Sequence, residues 1–148
     1  MSWLWIVLIV FVALAPLISL MPTRRQKRLA DIRQAAAVAG LQVQLLEPPG
    51  PELDKRLSAC YGLRAQHRQR LGLTGKFVRE GDSWRNLDRR GAPLQRELTA
   101  GFPSGVSHLV LRADSVMAFW DEGGEVAEVE TMKQALESLL RACSSAGN

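Results

Sequence analysis

The hydrophobic pattern of this chain begins with one long apolar run and then changes to shorter amphipathic segments. Residues 3–20 contain no charged side chain and are followed directly by a basic cluster. At about 1.5 Å per residue, a helix over this run would rise roughly 27 Å, close to the ~30 Å hydrocarbon core of a bilayer. The run therefore predicts a transmembrane anchor over residues 1–22, with Pro16 and Ser19 tolerated inside it.

A cleaved signal peptide is the alternative interpretation of this run. It would require a basic segment before the apolar core, whereas here the α-amino group is the only positive charge there. The small-x-small triplet at residues 13–15 lies inside the run and precedes Pro16, which disfavours cleavage.

The residues that flank the predicted anchor are basic, namely Arg24, Arg25, Lys27, Arg28 and Arg33. The positive-inside rule then predicts an outward N-terminus and a C-terminal domain in the cytoplasm.

Residues 23–148 are long enough for one domain with its own core. Helical spacing predicts a helix over residues 23–39 that ends at Gly40, and a second helix that begins near Glu125 or, with a capping box, at Thr131. Alternation and turn residues predict strands at 41–46, 60–64, 76–79, 83–86, 107–112 and 115–120. The predicted fold class is α+β: an N-terminal single transmembrane helix followed by a mainly antiparallel sheet flanked by two helices.

Two groups of residues define the expected core. Leu136 and Leu139 belong to the apolar stripe of the last helix, for which an exposed partner-binding face is the alternative. Cys60 and Cys143 show no paired spacing, so we expect small buried hydrophobes rather than reactive thiols or a disulfide.

Charge is distributed unevenly along the chain. The net charge of +4 combines a strongly basic middle, residues 55–96, with an acidic C-terminal third. Arg64, Arg68 and Arg70 form a candidate surface for an anionic partner. Anionic lipid, an acidic protein and the chain's own acidic C-terminal part remain open as the partner. Nucleic acid is disfavoured because no aromatic residues interleave with these arginines.

The sequence offers little catalytic chemistry. Residues 72–76 are similar to the end of a phosphate-binding loop. Arg70, however, stands at the position of the first glycine of that motif, and Phe77 stands at the position of its Ser/Thr. His67 and His108 have no ligand-spaced Cys, Asp or Glu beside them. The acidic residues between Asp121 and Glu130 lack the spacing of a calcium loop. We therefore expect a protein that is not an enzyme and uses no cofactor or metal.

The apolar run and the exit segment that carries Pro22, Arg25, Lys27 and Arg28 resemble the YajC family. Members of that family are small inner-membrane accessory subunits of the bacterial preprotein translocase. The resemblance covers about residues 4–33 and implies a bacterial inner-membrane location, lipid contact and a membrane protein as partner. The predicted function is that of a single-span protein whose cytoplasmic interaction domain is accessory to a larger membrane complex. The alternative is a membrane-surface module whose basic middle binds anionic lipid or an acidic partner.

Overall fold

The computed structural model describes residues 2–19, 22–50, 57–66, 70–88 and 91–145. The chain divides into two compact units, Met1–Ala30 and Asp31–Asn148. The elements within the described ranges are, in chain order, α1 (Ser2–Ser19), α2 (Arg24–Val38), β1 (Gln42–Leu46), β2 (Ser58–Arg64), β3 (Gly75–Glu80), β4 (Ser83–Asn86), a 3₁₀ helix (Arg96–Thr99), β5 (Val106–Leu111), β6 (Ser115–Trp120) and α3 (Glu128–Ser145).

The prediction of an N-terminal transmembrane helix is wrong. Among the described helices, none combines the length and the apolar character needed to cross a membrane. The apolar run does form a helix, but α1 ends at Ser19 after 18 residues and contains Pro16.

Helix α2 begins at a reciprocal cap. The Gln26 backbone N–H donates to Thr23 Oγ1 at 3.3 Å, and the Thr23 N–H donates to Gln26 Oε1 at 2.9 Å. This is the capping-box arrangement, in which two otherwise unpaired donors are satisfied. The helix ends before Gly40, whose φ of +86° suits the left-handed position after a helix. The predicted stop at Gly40 is thus confirmed.

The six strands form one antiparallel sheet with the order β1-β2-β6-β5-β3-β4. The hairpin of β5 and β6 lies at the centre of this order, and β2 joins it from one side through the pair Tyr61 and Ala118. A register shift between Val106 and His108 marks a bulge in β5. The predicted α+β class with a mainly antiparallel sheet is confirmed, and the turn at residues 113–114 lies where it was expected.

The main core lies between one face of the sheet and helices α2 and α3. Helix α2 contributes Ile32 and Ala36, which are fully buried. The sheet contributes large side chains from five strands, including Tyr61, Phe77 and Trp120. A smaller cluster of Cys60, Val110 and Phe119 lies on the opposite face. Both predicted buried cysteines are confirmed, since each is 2% exposed.

Helix α3 provides the largest apolar stripe of the core. Leu136 and Leu139 are fully buried against the sheet, so the exposed-face alternative is wrong. The helix begins at Glu128, between the two predicted starts. Thr131 therefore lies inside the helix and caps nothing, because backbone bonds from Glu128 to Glu125 and from Val129 to Val126 already form the preceding turn.

Candidate functional site

Four arginines gather at one end of the sheet, and we call them the basic end: Arg64, Arg70, Arg112 and Arg141. Arg64 pairs in register with Ser115, and the Arg112 N–H donates to the Ser115 carbonyl at 2.8 Å. The backbone around Arg70 is held against the β5–β6 turn by a 2.8 Å bond from the Leu71 N–H to the Ala113 carbonyl. These bonds bring side chains from three separate segments to one surface.

Arg141 joins the basic end through the last turns of α3. The Gly72 N–H donates to the Cys143 carbonyl at 3.0 Å, which ties the C-terminal part of the helix to the segment after Arg70. All four side chains of the basic end are exposed. A shallow cavity of about 340 Å³ is lined there by Arg64, Arg141, Glu137 and neighbouring residues. The basic end can therefore present several positive charges to an anionic partner.

The opposite end of the domain is acidic, and we call its carboxylates the acidic end: Asp121, Glu125, Glu128 and Glu130. All four follow β6 in the chain, and Glu128 and Glu130 lie in the first turn of α3. Acidic side chains interact favourably with the helix dipole there. Two adjoining cavities of about 620 Å³ and 350 Å³ lie here and share Ser104, Gly105, Trp120 and Asp121 in their walls. Arg79 also lines the larger cavity, so its wall contains both signs of charge.

A buried charged cluster lies next to the acidic end. Glu122 accepts two hydrogen bonds from Arg33, at 2.8 and 2.7 Å, and one from the Tyr61 hydroxyl at 2.6 Å. The Glu122 side chain is 6% exposed and that of Arg33 is 37% exposed. Glu122 also has a φ of +55°, a left-handed conformation that is uncommon outside glycine. The cluster thus connects α2, β2 and the segment before α3 through one carboxylate.

The ionisation of this cluster follows from its contacts. Burial favours the neutral form of Glu122, but the hydrogen bonds from Arg33 and Tyr61 outweigh burial and hold the pKa of Glu122 below its ordinary value. Burial and the adjacent Glu122 carboxylate raise the pKa of Tyr61. The hydrogen bond to Glu122 raises the pKa of Arg33. The Arg33–Glu122 pair is therefore ionised at neutral pH and joins α2 to the segment before α3.

The residues predicted to flank a membrane separate into two groups. Arg24, Arg25, Lys27 and Arg28 are exposed and belong to the first compact unit. Arg33 belongs to the second unit and is bound to Glu122. Its guanidinium is therefore bound to a buried carboxylate of the domain, which no feature of the sequence around Arg33 indicated.

The predicted anionic-partner surface is only in part described. Arg64 and Arg70 are exposed at the basic end, whereas Arg68 and His67 lie outside the described residues. Arg112 and Arg141 were missed because they lie far along the chain from the basic stretch. The sequence signal for Arg112 was its place beside the predicted turn of the β5–β6 hairpin. For Arg141 the available signal was its place in the last turns of the final helix.

Among the remaining candidate reactive groups, Cys60 and Cys143 are buried and His108 is half-buried. Burial raises the pKa of Cys60 to about 11 and raises that of Cys143 as well, which disfavours the reactive thiolate. Burial lowers the pKa of His108, whose ring packs edge-to-face on Phe119 on the sheet. Within the described ranges, no cluster of three or more Cys, His, Asp and Glu side chains is arranged to hold a metal ion.

Comparison with known proteins does not add a relative. No protein-family model, no curated protein and no solved structure matches this chain.

Proposed function

We propose that this chain is a non-enzymatic interaction protein that works at an anionic membrane surface, with its first compact unit in contact with lipid. The observation that carries the proposal is the composition and exposure of that unit. Helix α1 has no charged residue, and its large apolar side chains from Trp3 to Leu14 are exposed, each by 45% or more. An apolar surface of this extent requires a covering partner, because exposed apolar patches of such size mark lipid or protein contacts.

Charge identifies the lipid that fits this unit. Arg24, Arg25, Lys27 and Arg28 follow α1 directly and are exposed. A basic side chain near an anionic bilayer surface contributes about 1 kcal/mol, so these residues add several kcal/mol to the burial of apolar area. The cytoplasmic leaflet of the bacterial inner membrane has the required negative charge, and we propose it as the location.

Under this proposal the second compact unit is the interaction domain of the protein. Its role would be accessory to a larger membrane complex, and the YajC-like exit segment makes the preprotein translocase the first complex to test. A second candidate function is favoured by the basic end. There the four exposed arginines would bind anionic lipid or an acidic protein without any connection to the translocase.

Vesicle flotation of the purified full chain tests the lipid proposal and separates the two candidate surfaces. One variant changes Arg24, Arg25, Lys27 and Arg28 to Gln. A matched variant removes the same charge from the basic end, with Gln at Arg64, Arg70, Arg112 and Arg141. We expect the first variant to lose most binding to anionic vesicles and the second to retain it. The reverse result would favour the basic end as the lipid-binding surface.

Two further measurements complete the test. Leu8→Asp combined with Val12→Asp places two charges one turn apart on α1 and should abolish flotation if α1 contacts lipid. Unchanged flotation of this variant would refute the role of α1. Affinity purification of the wild-type chain from native membranes should yield a membrane complex, and recovery of translocase subunits would support the accessory role.

A further inference from the structure

The two charged ends of the domain lie far apart within one molecule. Strand β6 runs from the basic end, at Ser115, to the acidic end, which begins at Asp121. Six residues at about 3.3 Å each separate the ends by roughly 20 Å, more than twice the Debye length of about 8 Å at physiological salt. The ends therefore do not neutralise each other in one copy.

The ion pairs of the described residues agree with this separation. They join Arg33 to Glu122, Arg85 to Glu80 and Arg141 to Glu137. Within the described part of the chain, none of them connects the basic end with the acidic end. Glu125 and Glu130 of the acidic end are exposed, as are Arg64, Arg70 and Arg112 of the basic end. Asp121 instead accepts a hydrogen bond from the Gly123 N–H at 2.8 Å, and Glu128 is half-buried.

We propose that the acidic end of one copy binds the basic end of a second copy of this chain. An anionic lipid surface would satisfy a basic end alone, whereas each contact between two copies satisfies one basic and one acidic end. The contact is heterologous, because it uses two different surfaces of the same domain, and a bound pair of copies leaves one acidic and one basic end free. The expected product is a short head-to-tail chain of domains.

The charged groups that would form this contact are accessible. Glu125 and Glu130 are exposed at the acidic end, and the exposed Arg112 lies beside the two-residue turn of the β5–β6 hairpin. Arginine side chains are long and present several donors to carboxylates. The guanidinium group of Arg112 in one copy can thus donate to the exposed carboxylates of the next.

The strength of such a contact is limited by the exposure of its charges. Exposed ion pairs are individually weak and are screened by salt, so the association is reversible and salt-sensitive. Holding copies on a shared surface raises their effective concentration and strengthens association without a new contact. Self-association does not require lipid, since the two ends are present in the domain itself.

Charge reversal of the full chain in non-ionic detergent micelles provides the test. The basic-end reversal is Arg64→Glu with Arg112→Glu, and the acidic-end reversal is Glu125→Arg with Glu130→Arg. Sedimentation velocity at low and high salt should show that each variant alone self-associates about tenfold or more weakly than the wild type. An equimolar mixture of the two variants should restore association. The basic-end reversal has two acidic ends and the acidic-end reversal has two basic ends, so each variant can bind the other.

A matched control distinguishes this contact from a general effect of net charge. Arg24→Glu with Arg25→Glu changes the net charge by the same amount as the basic-end reversal and should self-associate like the wild type. Circular dichroism of each variant establishes that the domain is folded. Wild-type association of either reversal, or failure of the mixture to recover it, would overturn the proposal. So would a basic-end reversal that loses anionic vesicle binding while its self-association is unchanged.

Discussion

Helices α1 and α3 have the same length of 18 residues and opposite relations to water. Every side chain of α1 whose exposure is described, from Ser2 to Pro16, is exposed. In α3 the residues at helical spacing, Val129, Met132, Leu136, Leu139 and Cys143, are buried to 4% exposure or less. The more apolar helix is thus the one without a protein core around it.

The difference shows that the arrangement of apolar residues matters more than their number. In α3 the polar residues occupy the outer face, so the helix can pack its stripe against the sheet and remain solvated elsewhere. In α1 apolar residues occur all around the helix, so no single protein face could cover them. Four predictions test this contrast, in order of decreasing effect.

Truncation of the α3 stripe should have the largest effect. Leu136→Ala removes a fully buried side chain and should lower the free energy of unfolding by roughly 2–5 kcal/mol. Leu140→Ala on the same helix is the control, because Leu140 is only partly buried and should cost clearly less. Urea denaturation measures both. Equal stability of the wild type and Leu136→Ala would mean that the stripe does not hold the helix.

Removal of the buried carboxylate should have the next largest effect. Glu122→Gln leaves Arg33 without its anion and should cost roughly 1–3 kcal/mol, toward the lower value because the Arg33 side chain is 37% exposed. Glu137→Gln is the matched control, since Glu137 pairs with the exposed Arg141 at 3.4 Å. We expect the control to change the free energy of unfolding by less than about 0.5 kcal/mol. Similar losses in both variants would contradict this difference.

The same carboxylate should make stability depend on pH. Its pKa in the folded chain is lowered, whereas an unfolded Glu has a pKa of about 4.3. Between these two values the unfolded state binds more protons, so stability rises with pH there. The contribution is complete above about pH 5 and is lost as the pH falls through the folded pKa. Denaturation of Glu122→Gln across this range should show a shallower decline than the wild type.

The smallest effect on stability is expected in α1. Leu8→Ala removes an apolar side chain that is 53% exposed and should change the free energy of unfolding of the domain by less than about 0.5 kcal/mol. Vesicle flotation of the same variant should weaken, because lipid contact is where this side chain is proposed to act. A loss of stability comparable to that of Leu136→Ala would show that α1 packs on protein.

Local patterns predicted many of the elements. The alternation around the 113–114 turn predicted the β5–β6 hairpin, and the helical spacing of Leu136 and Leu139 predicted a buried stripe. The Gly40 stop was also predicted, because a helix end of this kind depends on one residue with freedom at positive φ. Burial of the two cysteines followed from their apolar character. These features depend on neighbours within a few residues, so they can be predicted from periodicity and composition.

Features that need distant partners could not be predicted in this way. Arg33 looked like another flanking charge, and its binding to Glu122 joins residues 89 positions apart. The position of β6 between β2 and β5 likewise depends on pairing across the sheet. The basic end was foreseen through Arg64 and Arg70 alone, because Arg112 and Arg141 reach it only after the hairpin and α3 pack.

The chain's own pattern therefore specified local geometry and the location of charge, since helices, turns and charge runs depend on short-range covalent order. The folded arrangement specified which charges are paired, which are exposed at opposite ends, and where helix α3 begins. It also corrected the expected membrane crossing, because hydrophobicity alone does not set the length of a helix. Long-range packing makes these choices through contacts that residues close in sequence do not make.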